Sequence, residues 1–280
     1  MIDLHCHTNY GGHSEGSLID CISSASQKGI KILGFSEHFP LPHGLYDIAG
    51  SAMSRDNLQI YVYDIEDIKK TNNLLEKVLL GFETDYLPAF KDETKRKMEK
   101  IDYDYLIGSV HFMEGWSIDF SDEEFRKGLN KRYGKDLRWS AKMAVNEYFS
   151  LVKEMIDSDL FQIVGHLDLI KKFNPNSAYF NEFESHYKNW VNTLLDFTKK
   201  KGMALEINSS GFDKPIKEQY PSRWIVEQCC SKKIPVTLGS DAHKPEEIAR
   251  HFEKTIGMIK ETGCKEIAYF ENKNMIMREI

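Results

Sequence analysis

Cysteine is scarce in this 280-residue chain, and its placement forms no framework. The five residues Cys6, Cys21, Cys229, Cys230 and Cys264 are odd in number and contain no C-x-x-C pair. Disulfide stapling is therefore not expected, and a reducing cytoplasm is the compartment this usage implies. No run of about 18 uninterrupted apolar residues occurs, which argues against a membrane partner. The opening Met1–Tyr10 shows no basic segment followed by an apolar one, so it does not read as a secretory leader. Also missing is any Lys/Arg-rich block interleaved with aromatics, and the net charge is −6. Nucleic acid is thus not an expected partner. The lysines of Lys95–Lys100 and Lys199–Lys201 read as solvated helix faces. No Gly/Ser/Pro-rich linker and no internal repeat divides the chain, and we expect one domain over residues 1–280. Oligomeric state leaves no mark in the sequence.

What is present is ordinary for a soluble globular protein, with 41% hydrophobic and 29% charged residues. A chain of this length buries roughly 70–75% of its unfolded surface, so it needs no structural metal to fold. Any metal has another task. Compact apolar runs alternate with amphipathic stretches. The runs Ile2–His5, Ile32–Ser36, Val78–Glu83, Tyr105–Val110, Gln162–His166, Ala204–Asn208 and Pro235–Ser240 predict strands covered on both faces. Helical spacing marks Leu18–Lys28, Lys142–Ile156, Tyr187–Lys200, Ser222–Cys230 and Pro245–Thr262. Such alternation predicts an α/β fold with parallel strands and crossover helices. Seven strands suit a barrel, and an open sheet fits the same periodicity. Pro40–Tyr61 reads as a long loop and Glu114–Lys135 as a second excursion.

The histidines carry the chemical signal. Of ten, five stand at or just past the C-terminal end of an expected strand: His5, His38, His111, His166 and His243. In a parallel barrel these ends open on one face, where active sites lie. His7 follows His5 by two residues, and His13 lies further along the same loop. Glu83 ends its strand, and Asp241 precedes His243 by two. On an extended strand such i, i+2 pairs point to one side, so both members can address one metal region. Imidazole and carboxylate together suit Zn, Mn or Fe. Each of these residues also has an ordinary reading: His166 as a hydrogen-bonded core residue, Glu83 as a strand end, Asp241 as a cap and His13 as solvated. The joint pattern decides for a metal cluster. His186 and His251 read as helix-surface residues.

The segments His5-Cys6-His7-Thr8, Ser36-Glu37-His38, Gly81-Phe82-Glu83, Ser109-Val110-His111, Gly165-His166-Leu167-Asp168 and Gly239-Ser240-Asp241-Ala242-His243 resemble the successive motifs of the PHP (polymerase and histidinol phosphatase) superfamily. The resemblance runs from residue 2 to about residue 250. Gly11-Gly12-His13, Glu37-His38-Phe39-Pro40-Leu41-Pro42 and Glu206-Ile207-Asn208-Ser209-Ser210-Gly211 are most similar to the monofunctional histidinol-phosphate phosphatase branch. That resemblance implies a distorted (β/α)7 TIM-like barrel and a centre of three divalent metal ions. It implies His5, His7, Glu83 and Asp241 around one ion, Glu83, His111 and His166 around a second, and His13, His38 and His243 around a third. The implied activity is hydrolysis of L-histidinol phosphate, a step of histidine biosynthesis.

Electrostatics fit that expectation. Seven neutral imidazoles and two carboxylates against three divalent ions leave roughly four positive charges. A phosphate monoester dianion with hydroxide neutralises most of this. A water acidified by the ions would then attack phosphorus in line, with Glu83, Asp241 and His243 at the reacting centre. Asp241 or a water would protonate the leaving alkoxide. Lys172, Lys214 and Arg223 are candidates to grip the phosphate, and Asp47 and Glu15 to meet the substrate's cationic end. One departure stands out. The resembled branch carries an Arg-Lys pair after Asn-Ser-Ser-Gly, where this chain reads Phe212-Asp213-Lys214. An Asp cannot make the bidentate phosphate contact of Arg. Two other functions share these residues: phosphoesterase action on a nucleotide, sugar phosphate or phosphoprotein, and a non-catalytic metal-binding barrel.

Overall fold

The computed structural model describes residues 1–42 and 50–280. Its strands and helices follow in the order β1 (Ile2–Asp3), α1 (Leu18–Gln27), β2 (Ile32–His38), α2 (Arg55–Thr71), β3 (Lys77–Asp85), α3 (Lys91–Met98) and β4 (Tyr105–Ser109). A small hairpin of β5 (Phe112–Met113) and β6 (Trp116–Ser117) leads to α4 (Asp122–Tyr133) and α5 (Leu137–Asp157). Then come β7 (Ile163–Val164), α6 (Ser185–Lys201), β8 (Ala204–Asn208), α7 (Arg223–Lys232), β9 (Val236–Gly239) and α8 (Phe252–Glu261). A terminal antiparallel hairpin, β10 (Glu266–Glu271) and β11 (Asn274–Glu279), ends the chain. Among the described residues no helix is long and apolar enough to cross a membrane.

Seven strands pair in parallel in the order β1-β2-β3-β4-β7-β8-β9. Leu4 N–H donates to the Leu238 carbonyl at 2.9 Å, and His7 N–H to the Ala242 carbonyl at 2.8 Å. These bonds bring β9 back against β1. The result is a nearly closed, distorted (β/α)7 barrel, as expected. Its interior is packed rather than hollow. Tyr105 on β4 reaches across to donate its hydroxyl to the Leu4 carbonyl at 2.7 Å. Its ring lies over Gly34 and Gly81 on β2 and β3, where a Cβ would overlap it.

All seven expected strands form, and four of the five expected helices are found with their ends shifted by a few residues. The differences have physical causes. The expected loop Pro40–Tyr61 gives way to α2 at Arg55, with Ser54 Oγ accepting from Asn57 N–H at 3.1 Å. The helix is recognisable in retrospect by Leu58, Tyr61, Ile65 and Ile68, which pack inward at helical spacing. The excursion Glu114–Lys135 folds into the β5–β6 hairpin and α4. The expected helix Pro245–Thr262 begins only at Phe252, because Ala249 and His251 take positive φ of 56° and 57°. That break turns the Arg250 guanidinium inward, where Nε donates to the Ser240 carbonyl at 2.8 Å. The cysteine expectation is also corrected. Cys230 at the end of α7 is disulfide-bonded to Cys264 beyond α8. Their separation of 34 residues carries no signal, since only the docking of the two helical segments brings them together. Cys6, Cys21 and Cys229 are free and buried.

Candidate metal centre

The C-terminal rim of the barrel collects the expected donors. His5 and His7 follow β1, His38 ends β2, Glu83 lies near the end of β3, His111 and His166 follow β4 and β7, and Asp241 and His243 follow β9. Remote parts of the chain thus meet within a few ångströms. His5 Nε2 lies 3.1 Å from His7 Nε2, and His111 Nε2 lies 3.2 Å from His166 Nε2. Glu83 stands between the two pairs, with Oε2 at 3.3 Å from His5 Nε2 and Oε1 at 2.9 Å from His166 Nε2. Asp241 Oδ1 lies 3.3 Å from His7 Nε2. Ligand atoms fall within 4.8 Å of one another in four groups: His7/His38/His243, His5/His7/Asp241, His38/Asp85/His111 and Glu83/His111/His166. His13 belongs to none of these groups, yet its ring centroid is 4.4 Å from that of His243 and 5.3 Å from that of His38.

Four of the rings are aimed by their other nitrogen. His5 Nδ1 donates to Glu206 at 2.5 Å, His7 Nδ1 to Glu37 at 3.2 Å, and His111 Nδ1 to Asp85 at 2.8 Å. His243 Nδ1 donates to the Asp241 carbonyl at 3.0 Å. Carboxylates in this position fix the tautomer and make the ring a better ligand. Glu37 is itself held by Thr8, accepting from its backbone N–H at 2.8 Å and its hydroxyl at 3.0 Å. Glu206 also accepts the His166 backbone N–H at 2.8 Å. Asp241 adopts φ of 51°, and Asn208, Ser210 and the Arg250 guanidinium hold it there.

These residues fit divalent metal ions. With their Nδ1 atoms directed at Glu206 and Glu37, the Nε2 atoms of His5 and His7 converge at 3.1 Å, a spacing at which one ion can meet both. Two nitrogens about 2.0–2.1 Å from one ion lie roughly 2.8–3.4 Å apart for angles between square and tetrahedral. The observed 3.1 and 3.2 Å fall in that window. Charge points the same way. Burial pushes the His7 and His111 imidazoles down, but neighbouring carboxylates override it and raise them to about 9 and about 10. His5 is likewise raised by Glu206, Glu83 and Asp241. This side of the cluster is anion-rich and calls for cations. On the other side, burial and the charge of His7 lower His243 to about 3 and depress His38 and His13.

The cluster floors a cavity of about 440 Å³, and Lys172 and Lys214 stand in its lining, as expected for a phosphate grip. Lys172 Nζ donates to Asp119, at 2.6 Å to the carbonyl and 3.1 Å to the carboxylate. The other substrate candidates fall elsewhere. Arg223 sits on the outer face of α7, half exposed and paired with Glu227 and Glu261, and this corrects its assignment. Glu15 is exposed, paired with Lys244 at 2.9 Å, and outside the cavity lining. Asp47 lies outside the described residues. Asp213, the unexpected acid, also turns away from the cavity, toward His251 at 2.9 Å and Arg250 at 3.6 Å. It therefore does not oppose a phosphate in the cavity.

Sequence reasoning missed Glu37, Asp85, Glu206 and Asp119 as parts of the site. Asp85 had a signal, lying two residues beyond Glu83 on one strand face. Glu206 had none, because its role depends on which strand neighbours β8.

Together these features define a (β/α)7 barrel whose rim gathers metal-ligating side chains beside a cavity lined by two lysines. The chain belongs to the PHP domain family, whose sequence pattern matches residues 3–210. It is 30% identical over 279 residues to a probable histidinol-phosphatase of Deinococcus radiodurans, covering 98% of both chains. Histidinol-phosphatase of Bacillus subtilis is 29% identical over 266 residues, 90% of this chain and 96% of that one. The fold is shared with the histidinol phosphate phosphatase of Lactococcus lactis, with a TM-score of 0.78 at 23% identity and 98% of each chain covered.

Proposed function

We propose that this chain hydrolyses L-histidinol phosphate to L-histidinol and inorganic phosphate with three divalent metal ions at the barrel rim. The observation that carries this is one cavity combining the histidine and carboxylate clusters with two lysine ammoniums, Lys172 and Lys214. The names of the two sequence relatives support the substrate, and the Lactococcus lactis protein was solved with zinc, L-histidinol and phosphate. His5, His7, Glu83 and Asp241 would hold one ion and Glu83, His111 and His166 a second. His13, His38 and His243, with His7 close by, would hold the third.

Bound ions of this kind acidify water and stabilise negative charge on phosphoryl oxygens. The chain's own residues do the rest. Glu206, Glu37 and Asp85 keep the imidazoles aimed. Lys172 and Lys214 offer point charges to the non-reacting phosphate oxygens. Asp241 lies beside His7 and His243, its carboxyl held well below the usual range by His5, His7 and His243 against the effect of burial. It is therefore unprotonated and placed to accept a hydrogen bond from the attacking water and orient it, and a second water would protonate the leaving alkoxide. Metal analysis of the purified protein, with turnover of L-histidinol phosphate beside a nucleotide, a sugar phosphate and a phosphopeptide, tests the reading. Preference for any of the other three esters would replace the substrate. A metal-loaded protein inert toward all four would overturn the assignment as an enzyme.

A further inference from the structure

L-Histidinol phosphate carries an ammonium only four bonds from phosphorus, so a selective site must offer opposite charges close together. Among the described residues four carboxylates line the cavity: Glu83, Asp85, Asp119 and Asp241. Three are committed to imidazoles, Glu83 to His166 at 2.9 Å, Asp85 to His111 at 2.8 Å and Asp241 to His7 at 3.3 Å. Asp119 differs. Its Oδ2 accepts from Lys172 Nζ at 3.1 Å, and among the described residues its Oδ1 meets only the Ser117 hydroxyl, at 3.3 Å. A carboxylate has about four lone-pair positions, so room for a further donor remains. Its side chain keeps 23% exposure, open to the cavity rather than sealed in the core. Phe112, Phe120 and Tyr220 line the same cavity and offer ring faces to an imidazole.

We propose that Asp119 receives the substrate's ammonium while Lys172 beside it holds the phosphate, so that the cavity selects phosphate monoesters bearing a cation. The identity of the substrate rests on the functional reading above; the selection itself rests on the Asp119–Lys172 pair. In the complex the charges alternate, Lys172 ammonium, phosphate, substrate ammonium, Asp119 carboxylate, so each group gains an opposite neighbour. Lys214 completes the phosphate side. Burial works against ionisation of Asp119, yet Lys172 and His111 hold its carboxyl at about 2, and it stays charged wherever the enzyme would act.

The experiment compares L-histidinol phosphate with 3-(imidazol-4-yl)propyl phosphate, which lacks only the amine, on wild type, Asp119→Asn, Asp119→Ser and Lys172→Ala. Loss of one charge-assisted hydrogen bond predicts a fall of about tenfold or more in kcat/KM on L-histidinol phosphate for both Asp119 variants, carried mainly by KM. On the amine-free ester, where only the hold on Lys172 is disturbed, the loss should be at least about fivefold smaller, with metal content and circular dichroism unchanged in both variants. Inhibition by L-histidinol should weaken in parallel, and inhibition by inorganic phosphate should not. Lys172→Ala should lose on both esters. Equal losses on both esters for the Asp119 variants would overturn the proposal, because Asp119 would then serve only to place Lys172. A wild type that cleaves the amine-free ester but not L-histidinol phosphate would sink the functional reading itself.

Discussion

Glu206 illustrates how a single side chain can govern a site it does not face. One of its oxygens takes the His5 ring proton and the other the His166 backbone N–H, so it sets the aim of histidines assigned to two different ions. Removing its charge should cost about 10–100-fold in metal affinity or activity, the usual penalty for a lost orienting partner. Glu206→Gln should therefore need more added metal for half-maximal turnover, with an unchanged circular dichroism spectrum. Full activity at wild-type metal levels would show that the carboxylate is dispensable. The histidines themselves, His13 apart, were legible in sequence, because each sits at a strand end or repeats at i, i+2. Glu206 and Asp119 were not, because their partners lie 40 residues or more away, 201 in the case of His5 and 53 in that of Lys172. A second residue makes a pH prediction. Burial raises the Cys229 thiol from 9.0 to about 12. The folded chain then binds more protons than the unfolded one between these values, so stability should fall as pH rises from about 9 to about 12. Cys229→Ala should flatten that slope in denaturant titrations, and native Cys229 should resist iodoacetamide at pH 8.

At the scale of elements, Tyr105 decides how β2, β3 and β4 approach. Its ring occupies the space left by Gly34 and Gly81, and its hydroxyl reaches β1 through Leu4. Adding a methyl at either glycine forces ring or strand to move, a strain of about 1–3 kcal/mol. Gly81→Ala should thus lower the urea midpoint markedly. Tyr105→Phe keeps the volume and loses one buried hydrogen bond, at about 0.5–1.5 kcal/mol. If both variants unfold like wild type, the packing described is wrong. The barrel strands were readable because parallel strands buried on both faces leave unbroken apolar runs. The helix α2 was less so, since His43, Gly44, Asp47 and Gly50 marked Pro40–Tyr61 as loop and obscured the periodicity after Ser54. The shortened α8 was not readable at all. Its break is imposed from outside, by Asp3 accepting the Ala249 N–H at 3.1 Å and by Arg250 reaching the carbonyls before the metal rim.

For the whole molecule, the question is whether the ions hold the fold together or only the site. The buried apolar set runs from Ile2 to Phe270 and includes residues of every barrel strand, so the core does not depend on the rim. The rim, by contrast, gathers ligand atoms that cations would join: the Nε2 atoms of His5 and His7 lie 3.1 Å apart, with the Glu83 and Asp241 carboxylates around them. Ions that bind only the folded chain stabilise it by about 2.7 kcal/mol when free metal is a hundredfold above the dissociation constant. For a chain of this size that corresponds to roughly 4–5 °C in the melting temperature. Exhaustive chelation should therefore abolish hydrolysis and lower Tm by about that amount, while the far-UV circular dichroism at 25 °C stays unchanged. Restoring metal should recover both. The histidines that lose their ions should take up protons as they do so, since carboxylates hold His5 and His7 above the ordinary imidazole value, and re-metallation should release acid measurable in unbuffered solution. Collapse of the circular dichroism on chelation would instead mean that the ions are part of the core's support, and that the separation between a self-sufficient barrel and a metal-dependent rim does not hold.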